Sequence, residues 1–301
     1  MTPYDPLIRV LNLIETRKSD MLTAQQLARE TYLSVSHLHS LFKLAIGQPL
    51  MEYARGRKLA HSLEELVSTD LKVADIAMNY GFQHEQSYIR AFCKEYHCTP
   101  GKARKGKMIL PIRRRIAPEE LRATEQGVLY GPEIVCMPMS HFVGIPYEFR
   151  PFHLETQALE PNRLGREFCL RAVGQVSNAT DMETYYAIVS SLPGGLTVGL
   201  EYMPCVQVRD VSQVPGGYTG RTIPTTLCAR FRYTGKHPIQ EISMVTARAM
   251  FDARTEFFMD QTRYVQRGDI RHIERIDTRL YHEGYCQMEL MPPIVDTLAE
   301  P

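Results

Sequence analysis

The sequence of 301 residues contains no tryptophan and no apolar run of eighteen residues or more. A helix needs about twenty consecutive apolar residues to cross a bilayer, so we expect no membrane-spanning helix and no membrane partner. The N-terminal stretch MTPYDPLIRVLNL also lacks the basic segment and the apolar segment that are typical of a secretion signal. Both absences favour a cytoplasmic protein.

Cysteine does not occur in the patterns that build cross-links or metal sites. The seven cysteines are scattered, odd in number and without a CxxC pair, which argues against a disulfide framework and a zinc site. We expect reduced, mostly buried thiols and no metal or other cofactor. A P-loop, HExxH, GxGxxG and a Ser-His-Asp arrangement are missing as well. The histidines beyond the first third of the chain are isolated and are interpreted as surface or loop residues: His141, His153, His237, His272 and His282.

The charge is unevenly distributed along the chain. The net charge is +1, but residues 1–115 hold 18 Lys and Arg against 11 Asp and Glu, whereas residues 116–301 hold 17 against 23. A chain of this length has room for about two domains. A basic N-terminal domain is suited to a polyanionic partner.

The first sixty residues predict a helix-turn-helix unit behind a supporting helix. Apolar residues recur at helical spacing from near Pro6. Thr23 is a suitable N-cap for the helix AQQLARE, and Ser34 or Ser36 for the helix SHLHSLFK. The second of these helices has a more polar side that is free to face a partner: Ser36, His37, His39, Ser40 and Lys43.

The pattern repeats after a long helix that is expected from about Pro49 to Val67. A short helix from Val73 to Asn79 is followed by Gly81, a plausible left-handed cap, and a further helix begins at His84 or Glu85. Its buried side is expected to hold Tyr88, Ile89, Phe92 and Tyr96. Its polar side offers three candidate contact residues: Gln86, Arg90 and Lys94.

The residue types on the second polar side are suited to duplex DNA. Gln can bond an adenine edge with two hydrogen bonds and Arg a guanine edge, and Gln86 and Arg90 are four residues apart on one helix face. Two recognition helices on a stiff spacer could enter successive major grooves, so that a monomer suffices for binding. The alternative is that Gln86 and Arg90 are ordinary surface residues.

Residues 6–106 resemble the DNA-binding domain of the AraC/XylS transcription regulators. The segments LARETYLSVSHLHSLFK, IGQPLMEY, VADIAMNYGF, QSYIRAF and TPGKAR occur in the order and spacing of that family. The resemblance implies an all-α tandem helix-turn-helix domain that binds double-stranded promoter DNA. It also implies activation of transcription as one of the family's roles, with RNA polymerase as an expected partner. The family's base-reading positions correspond to Ser36, His39 and Ser40 in the first unit and to Gln86 and Arg90 in the second. Some relatives have bulky residues where this chain has Ser36 and Ser40, so the first helix is expected to read bases less directly.

The domain boundaries follow from a change of composition. We expect a DNA-binding domain over 1–108, a basic linker over 109–129 and a second domain over 130–296. The linker contains the run Arg113 to Arg115, which could contact phosphate or form a solvated face.

The second domain is expected to be α+β and internally duplicated, because β-rich segments surround two helical segments near 163–173 and 239–259. The segments LTVGLEYMP and GYCQMELMPP make Glu201 and Glu289 equivalent in the two repeats. Each segment should pair with the strand before it, YYAIVSS or HIERIDT. The two carboxylates then point either to water or into a cavity.

Residues 130–294 resemble the gyrase-inhibitor-like (GyrI-like) ligand-binding domain through VGIPYEF, YYAIVSS, LTVGLEY, IPTTLCARFRYTG, HIERIDT and YCQMELMPP. The resemblance implies a small-molecule effector, cationic or amphipathic, in an aromatic-lined cleft between the repeats. Family positions correspond to Glu274 and Glu289, with Glu201 in the repeat, and more loosely to aromatic residues: Tyr186, Tyr202 and Phe231. Ile276 stands where an aromatic residue is common. We expect a protein that is not an enzyme, the alternatives being a hydrolase that uses the central Glu or a protein-interaction module.

Overall fold

The computed structural model describes residues 4–18, 22–106, 109–149, 160–195, 198–279 and 284–298, so His153 and His282 lie outside the described residues. The chain divides into two compact units, Met1–Leu121 and Arg122–Pro301. The first, the helical unit, contains helices throughout, and the second, the sheet unit, is built on β-strands. A helical N-terminal region followed by a sheet-rich region was expected and is confirmed. The predicted linker, 109–129, is divided between the two units.

The first half of the helical unit consists of α1 (Asp5–Thr16), α2 (Ala24–Thr31) and α3 (Val35–Ile46). Thr23 caps α2 in a capping box, in which its hydroxyl accepts from the backbone N–H of Gln26 and the Gln26 side chain accepts from the Thr23 N–H. Ser34 caps α3 by accepting from the N–H of His37, which decides between the two expected caps. Each of the three helices buries apolar residues, and α2 contacts both α1 and α3.

The second half consists of α4 (Leu50–Ser68), α5 (Val73–Asn79), α6 (Glu85–Tyr96) and α7 (Pro100–Arg104). At 1.5 Å per residue, the 19 residues of α4 span roughly 28 Å. Gly81 follows α5 with φ of 68°, in the left-handed region that favours glycine. Its N–H and that of Phe82 bond back to the carbonyls of Met78 and Ala77, which closes the turn before α6.

The sheet unit contains twelve strands among its described residues: β1 (Leu121–Ala123), β2 (Gly127–Met137), β3 (Ser140–Gly144), β4 (Tyr147–Phe149), β5 (Thr184–Ser191), β6 (Leu200–Val208), β7 (Thr219–Ile223), β8 (Thr226–Gly235), β9 (Tyr264–Gln266), β10 (Ile270–Asp277), β11 (Cys286–Met291) and β12 (Pro293–Asp296). Two helices accompany them, α8 (Glu160–Glu167) and α9 (Met244–Met259). A π-helical turn, Phe168–Ala172, continues from α8. The strands from β2 to β12 pair antiparallel.

The strand order shows the internal symmetry that a duplication produces. The main path is β1-β2-β8-β11-β10-β5-β6-β3-β7, with β12 and β9 beside β8 and β4 beside β6. The two expected hairpins, β5 with β6 and β10 with β11, are present, and they meet where β5 pairs with β10. A helix precedes each hairpin, α8 the first and α9 the second. The four central strands therefore carry equivalent parts of the two repeats.

The central strands are covered on both faces. On one face lie α8 and α9, with apolar residues packed beneath each helix. The other face is covered by a separate core: Phe142, Ile188, Met203, Cys205, Ile223, Cys228, Ile273 and Met291. Because side chains alternate between faces along a strand, adjacent residues of β5, β6, β10 and β11 belong to different sides of the sheet.

The described part of the chain lacks two features. No helix there is long and apolar enough to cross a membrane, and no group of three or more His, Cys, Asp or Glu could hold a metal ion. The seven cysteines are free thiols, of which four are buried.

Candidate functional site

Of the two helix faces that are expected to contact DNA, the outer face of α6 is the more exposed. Gln86, Arg90 and Lys94 are all exposed, and their spacing of four residues places them along one side of the helix. The Arg90 Nε donates to the carbonyl of Gln86 at 3.3 Å, so the guanidinium lies along the same side as Gln86. The three side chains together offer base-reading and phosphate-binding groups.

The outer face of α3 is less open. Ser36 and Lys43 are exposed, whereas His37, His39 and Ser40 are half-buried. The Nε2 atom of His39 is enclosed and has no hydrogen-bond partner among the described residues. Of the five expected contact residues on α3, two are therefore presented as openly as those of α6.

Both helices are fixed to α4 by aromatic residues on their inner faces. Tyr88 of α6 forms a hydrogen bond of 3.2 Å with the hydroxyl of Ser62, and burial raises the pKa of Tyr88. The rings of Phe92 and Tyr96 continue this row, with centroids 4.6 Å apart. On α3, Phe42 packs at 5.7 Å from the ring of Tyr53. The long helix therefore holds both exposed faces in a fixed relation, as a spacer should.

The three arginines of the linker have three different environments. Arg113 donates to Glu95 of α6 at 2.9 Å and to Gln48 at 2.7 Å. The Arg113 side chain passes so close to Gly56 of α4 that a Cβ atom at position 56 would overlap it. Arg114 forms two hydrogen bonds with Glu120, at 2.8 and 2.6 Å. Arg115 is exposed and has no ion-pair partner among the described residues. The expected phosphate contact therefore does not fit Arg113, which is engaged within the helical unit.

The sheet unit contains a cavity of about 760 Å³ over the central strands, and residues of α8 and α9 line it. Its described walls are mostly apolar and include Phe149, Phe168, Leu200, Met250, Phe251 and Met288. Polar groups are few and belong mainly to β5, β6, β10 and α9. Such a lining is typical of sites for small organic molecules.

A pair of tyrosines forms part of the cavity wall. The hydroxyls of Tyr185 and Tyr202 lie 2.7 Å apart. Burial, and then the charges of neighbouring groups that include Glu274, raise the pKa of both tyrosines well above its usual value, so both stay protonated. Gly165 of α8 approaches the pair so closely that a Cβ would lie 2.4 Å from the Tyr185 hydroxyl. Glycine at this position therefore lets the helix contact the tyrosines.

Glu274 also lines the cavity, next to His272. The carboxylate is 12% exposed and its Oε1 lies 3.4 Å from His272 Nε2. Neither ring nitrogen of His272 has a hydrogen-bond partner among the described residues, since the contact with Glu274 lacks hydrogen-bond geometry. The ring of Phe251 lies 5.5 Å from that of His272.

Two arginines complete the polar lining. Arg254 of α9 is 8% exposed, and its Nη2 donates to Gln266 at 2.6 Å. Arg271 lies where the pairing of β10 with β5 shifts register between Ile270 and His272. Burial lowers the pKa of Arg271, and burial together with the charge of Arg271 lowers the pKa of Arg254 to about 10. The described lining thus has Arg166, Arg254 and Arg271 against the single carboxylate of Glu274.

Comparison with known proteins places the helical unit in a family. A model of a helix-turn-helix domain matches residues 27–106. The probable transcription factor PqrA of Proteus vulgaris is 32% identical over 97 residues, which are 32% of this chain and 80% of PqrA. The transcriptional activator AarP of Providencia stuartii is 34% identical over 83 residues, 28% of this chain and 62% of AarP. The chain belongs to the AraC family of helix-turn-helix transcription regulators.

The similarity concerns part of this AraC-family chain. A third relative, the HTH-type transcriptional regulator YbfP of Bacillus subtilis, is 30% identical over 96 residues, 32% of either chain. The chain therefore spans about a third of YbfP and less than two thirds of AarP. None of the three names states a catalytic activity. All eight predicted DNA-contacting residues lie within the matched range of the family model, whereas the sheet unit lies outside it.

The structure separates the residues that were expected to bind an effector in this AraC-family protein. Glu274 and Tyr202 line the cavity. Glu201 and Glu289 lie on the opposite face of the sheet and are engaged there by arginines. Glu289 accepts from Arg232 at 3.0 and 3.1 Å, and Glu201 accepts from Arg221 at 2.7 Å. The three carboxylates therefore do not share one site, because Glu201 and Glu289 are strand neighbours of the cavity-lining Tyr202 and Met288 and so face the other side of the sheet.

Two of the expected aromatic wall residues are also placed elsewhere. Tyr186 packs edge to face on Phe142, in the core of the opposite face. Phe231 packs edge to face on Phe257 in the core beneath α9. The neighbour Tyr185 takes the position in the cavity that was expected for Tyr186.

Arg254, Arg271 and His272 were not expected in the cavity. The sequence does contain a signal that Arg254 faces the cavity. Arg254 follows Met250 by four residues and Phe251 by three, so the three residues share one face of a helix. For Arg271 the position depends on the register shift, which no sequence pattern indicates.

Proposed function

We propose that the protein is a sequence-specific DNA-binding transcription regulator whose sheet unit binds a small-molecule effector. The observation that carries the DNA-binding part is the exposed row of Gln86, Arg90 and Lys94 on α6, in a helical unit of AraC type. A row with one amide and two cations at this spacing can bond base edges and phosphates in one major groove.

The spacer helix supports binding by two recognition helices of one chain. The length of α4, roughly 28 Å, is close to the repeat of about 34 Å that separates successive major grooves on one side of DNA. We infer that α6 supplies most of the base discrimination. On α3, Ser36 and Lys43 add more tolerant contacts, with smaller contributions from His37, His39 and Ser40.

The direction of regulation is inferred from a relative. AarP is named a transcriptional activator, and we infer that this protein likewise activates transcription at promoter DNA, with RNA polymerase as its partner. Transcription in vitro from a promoter that contains the selected site should rise when the protein is added. A fall would show repression instead.

The DNA-binding role is tested by Arg90→Ala in the full-length protein, with sites first selected from a pool of random duplexes. We expect the variant to lose discrimination at one base step by about 1–3 kcal/mol, because the bidentate contact is removed. Fluorescence anisotropy with single-base variants of the site measures this.

Arg248→Ala is the matched control, because Arg248 is 82% exposed and belongs to the sheet unit. It should leave discrimination at every step unchanged. If wild type bound all duplexes equally, or if Arg90→Ala weakened all of them by the same factor, base reading by Arg90 would be refuted.

The cavity supports the effector-binding part. Its volume of about 760 Å³ lies within the common range of about 300–1,000 Å³ for small-molecule sites, and its walls are apolar with a few polar groups. The effector is therefore expected to have an apolar body in contact with Phe168, Leu200 and Met288. Glu274, Tyr185 and Tyr202 lie where they can fix its orientation.

A further inference from the structure

We propose that the cavity selects an effector with a carboxylate on an apolar body, and that Arg254 and Arg271 bind this carboxylate. The inference rests on the proposed effector role of the cavity and specifies the chemistry of its ligand. Of the two effector types that the resemblance to GyrI-like domains implies, cationic or amphipathic, it agrees with the amphipathic and departs from the cationic.

Arg271 is the clearest indication. Arg271 lines the cavity, and among the described residues it has no ion-pair partner. The register shift between Ile270 and His272 leaves it outside the regular pairing of β10 with β5. A half-buried arginine without a carboxylate is uncommon, because removing the charge from water costs free energy that a counter-charge normally offsets. An anionic ligand would supply that counter-charge.

Arg254 places a second guanidinium at the same cavity. It is more than nine-tenths buried, and its Nε has no hydrogen-bond partner among the described residues. Its Nη2 is held by Gln266, whose amide nitrogen in turn donates to the carbonyls of Ile270 and Arg271. Arg254 is thus fixed against the backbone that carries Arg271. Burial, and then the charge of Arg271, lower the pKa of Arg254, so the two cations lie close enough to repel each other.

The charge of the lining disfavours a cation. Three arginines and one glutamate line the described cavity, and Glu274 already has His272 beside it. His272 adds two buried ring nitrogens without hydrogen-bond partners among the described residues, so it can also donate to an anion. An ammonium group near Glu274 would gain one carboxylate but would approach two unneutralised guanidinium groups.

The test compares three ligands that share an eight-carbon chain: octanoate, octan-1-ol and octylammonium. Isothermal titration on the full-length wild type should show the tightest binding for octanoate. In Arg271→Gln, octanoate should bind about tenfold to a hundredfold more weakly, because a charge-assisted hydrogen bond to a desolvated carboxylate is lost. Binding of octan-1-ol should change less than about twofold, since its apolar contacts remain.

Two variants keep the test interpretable. Arg248→Gln removes an exposed arginine from α9, the helix of Arg254, and should leave all three affinities unchanged. Arg271→Lys keeps the charge and should retain more octanoate affinity than Arg271→Gln, provided that both variants unfold at the wild-type temperature.

The possible outcomes separate this inference from the proposed effector role. Tighter binding of octylammonium than of octanoate, lost in Glu274→Gln, would overturn the carboxylate but keep the effector site. Equal losses for octanoate and octan-1-ol in Arg271→Gln would show that Arg271 only shapes the cavity. If none of the three ligands bound, the effector role and the inference would fail together.

Discussion

Arg113, Arg114 and Arg115 are adjacent in sequence, and yet each has a different electrostatic role. Arg113 joins Glu95 of α6 and Gln48, which lies between α3 and α4, so it links the segment after α7 to both helix-turn-helix units. Arg114 is neutralised by Glu120. Arg115 alone among the three has no carboxylate partner within the described residues. A count of basic residues therefore overstates the charge that this run can offer to DNA.

The difference predicts opposite results for two neighbouring substitutions. Arg115→Ala should reduce the slope of log Kd for DNA against log salt concentration by about one, because one phosphate contact and its released counterion are lost. Arg113→Ala should leave that slope unchanged and instead lower the unfolding temperature of the helical unit, because Glu95 and Gln48 lose their partner. Anisotropy titrations at several salt concentrations, with circular dichroism melts, measure both.

Arg114→Ala is the internal control and should resemble Arg113→Ala in its salt slope. A slope reduced equally by all three substitutions would mean that DNA displaces the intramolecular ion pairs, and the distinction drawn from the free protein would be wrong.

Individual residues also show which parts of the site a sequence can predict. Glu274 and Tyr202, which the family resemblance assigned to an effector-binding cleft, both line the cavity, and their binding of an effector stays a prediction. Glu201 could not share it, because it is the direct neighbour of Tyr202 in β6, and a strand presents neighbours to opposite faces. The alternation of side chains therefore excludes Glu201 from the cavity once Tyr202 is placed there. The equivalent residue Glu289 is excluded for the same reason.

At the scale of elements, α4 connects most of the helical unit. Glu15 of α1 accepts from Arg57 of α4 at 2.6 and 2.9 Å and contacts His61 at 3.0 Å. Arg57 also donates to the carbonyl of Arg113 at 2.5 Å, and the Tyr53 hydroxyl accepts from the N–H of Ile116 at 3.0 Å. One buried network thus ties α1, α4 and the segment after α7 together.

Glu15→Gln should destabilise the helical unit by about 3 kcal/mol at neutral pH, because it leaves the Arg57 guanidinium buried without its counter-charge. Burial alone would raise the pKa of Glu15, but the hydrogen bonds from Arg57 and His61 outweigh burial and lower that pKa from 4.5 to about 2. The stabilisation is therefore present above about pH 4.5 and is lost as the pH falls toward 2. Urea unfolding followed by circular dichroism should show the difference between wild type and variant shrinking from pH 7 to pH 3.

Glu64→Gln, an exposed position on the same helix α4, serves as the control and should change stability by less than about 0.5 kcal/mol at either pH. A constant difference between wild type and Glu15→Gln across this pH range would contradict the lowered pKa.

Elements with local signals were predicted closely from the sequence. Thr23, Ser34 and Gly81 mark the ends of helices through side-chain caps and a left-handed turn, and these depend on a few neighbouring residues. The two hairpins of the sheet unit were expected from a repeated segment. The register shift at Arg271 was not, because register is set by the pairing of β10 with a strand some eighty residues away in the chain.

At the scale of the whole molecule, the proposed effector and DNA sites belong to different compact units of one chain. If the effector regulates transcription, its binding must change the affinity for DNA. Linkage then requires DNA to change the affinity for the effector by the same factor, which is typically about 5–150-fold.

We therefore expect saturating octanoate to shift the Kd for the selected DNA site by a factor in this range, and saturating DNA to shift the Kd for octanoate equally. Anisotropy gives the first factor and calorimetry the second. In Arg271→Gln, octanoate at a concentration that saturates only the wild type should leave the Kd for DNA unchanged. Tight binding of both ligands without any mutual shift would rule out the sheet unit as a controller of DNA binding.

The position of Phe251 in the cavity wall makes it suitable for a fluorescent probe. The chain contains no tryptophan, so Phe251→Trp would introduce a single indole against a background of tyrosine emission. Because Phe251 lies in the lining beside His272, the wavelength of the indole emission would depend on whether water or an apolar ligand surrounds the ring. Occupancy of the cavity could then be followed by fluorescence in the full-length protein while DNA is bound.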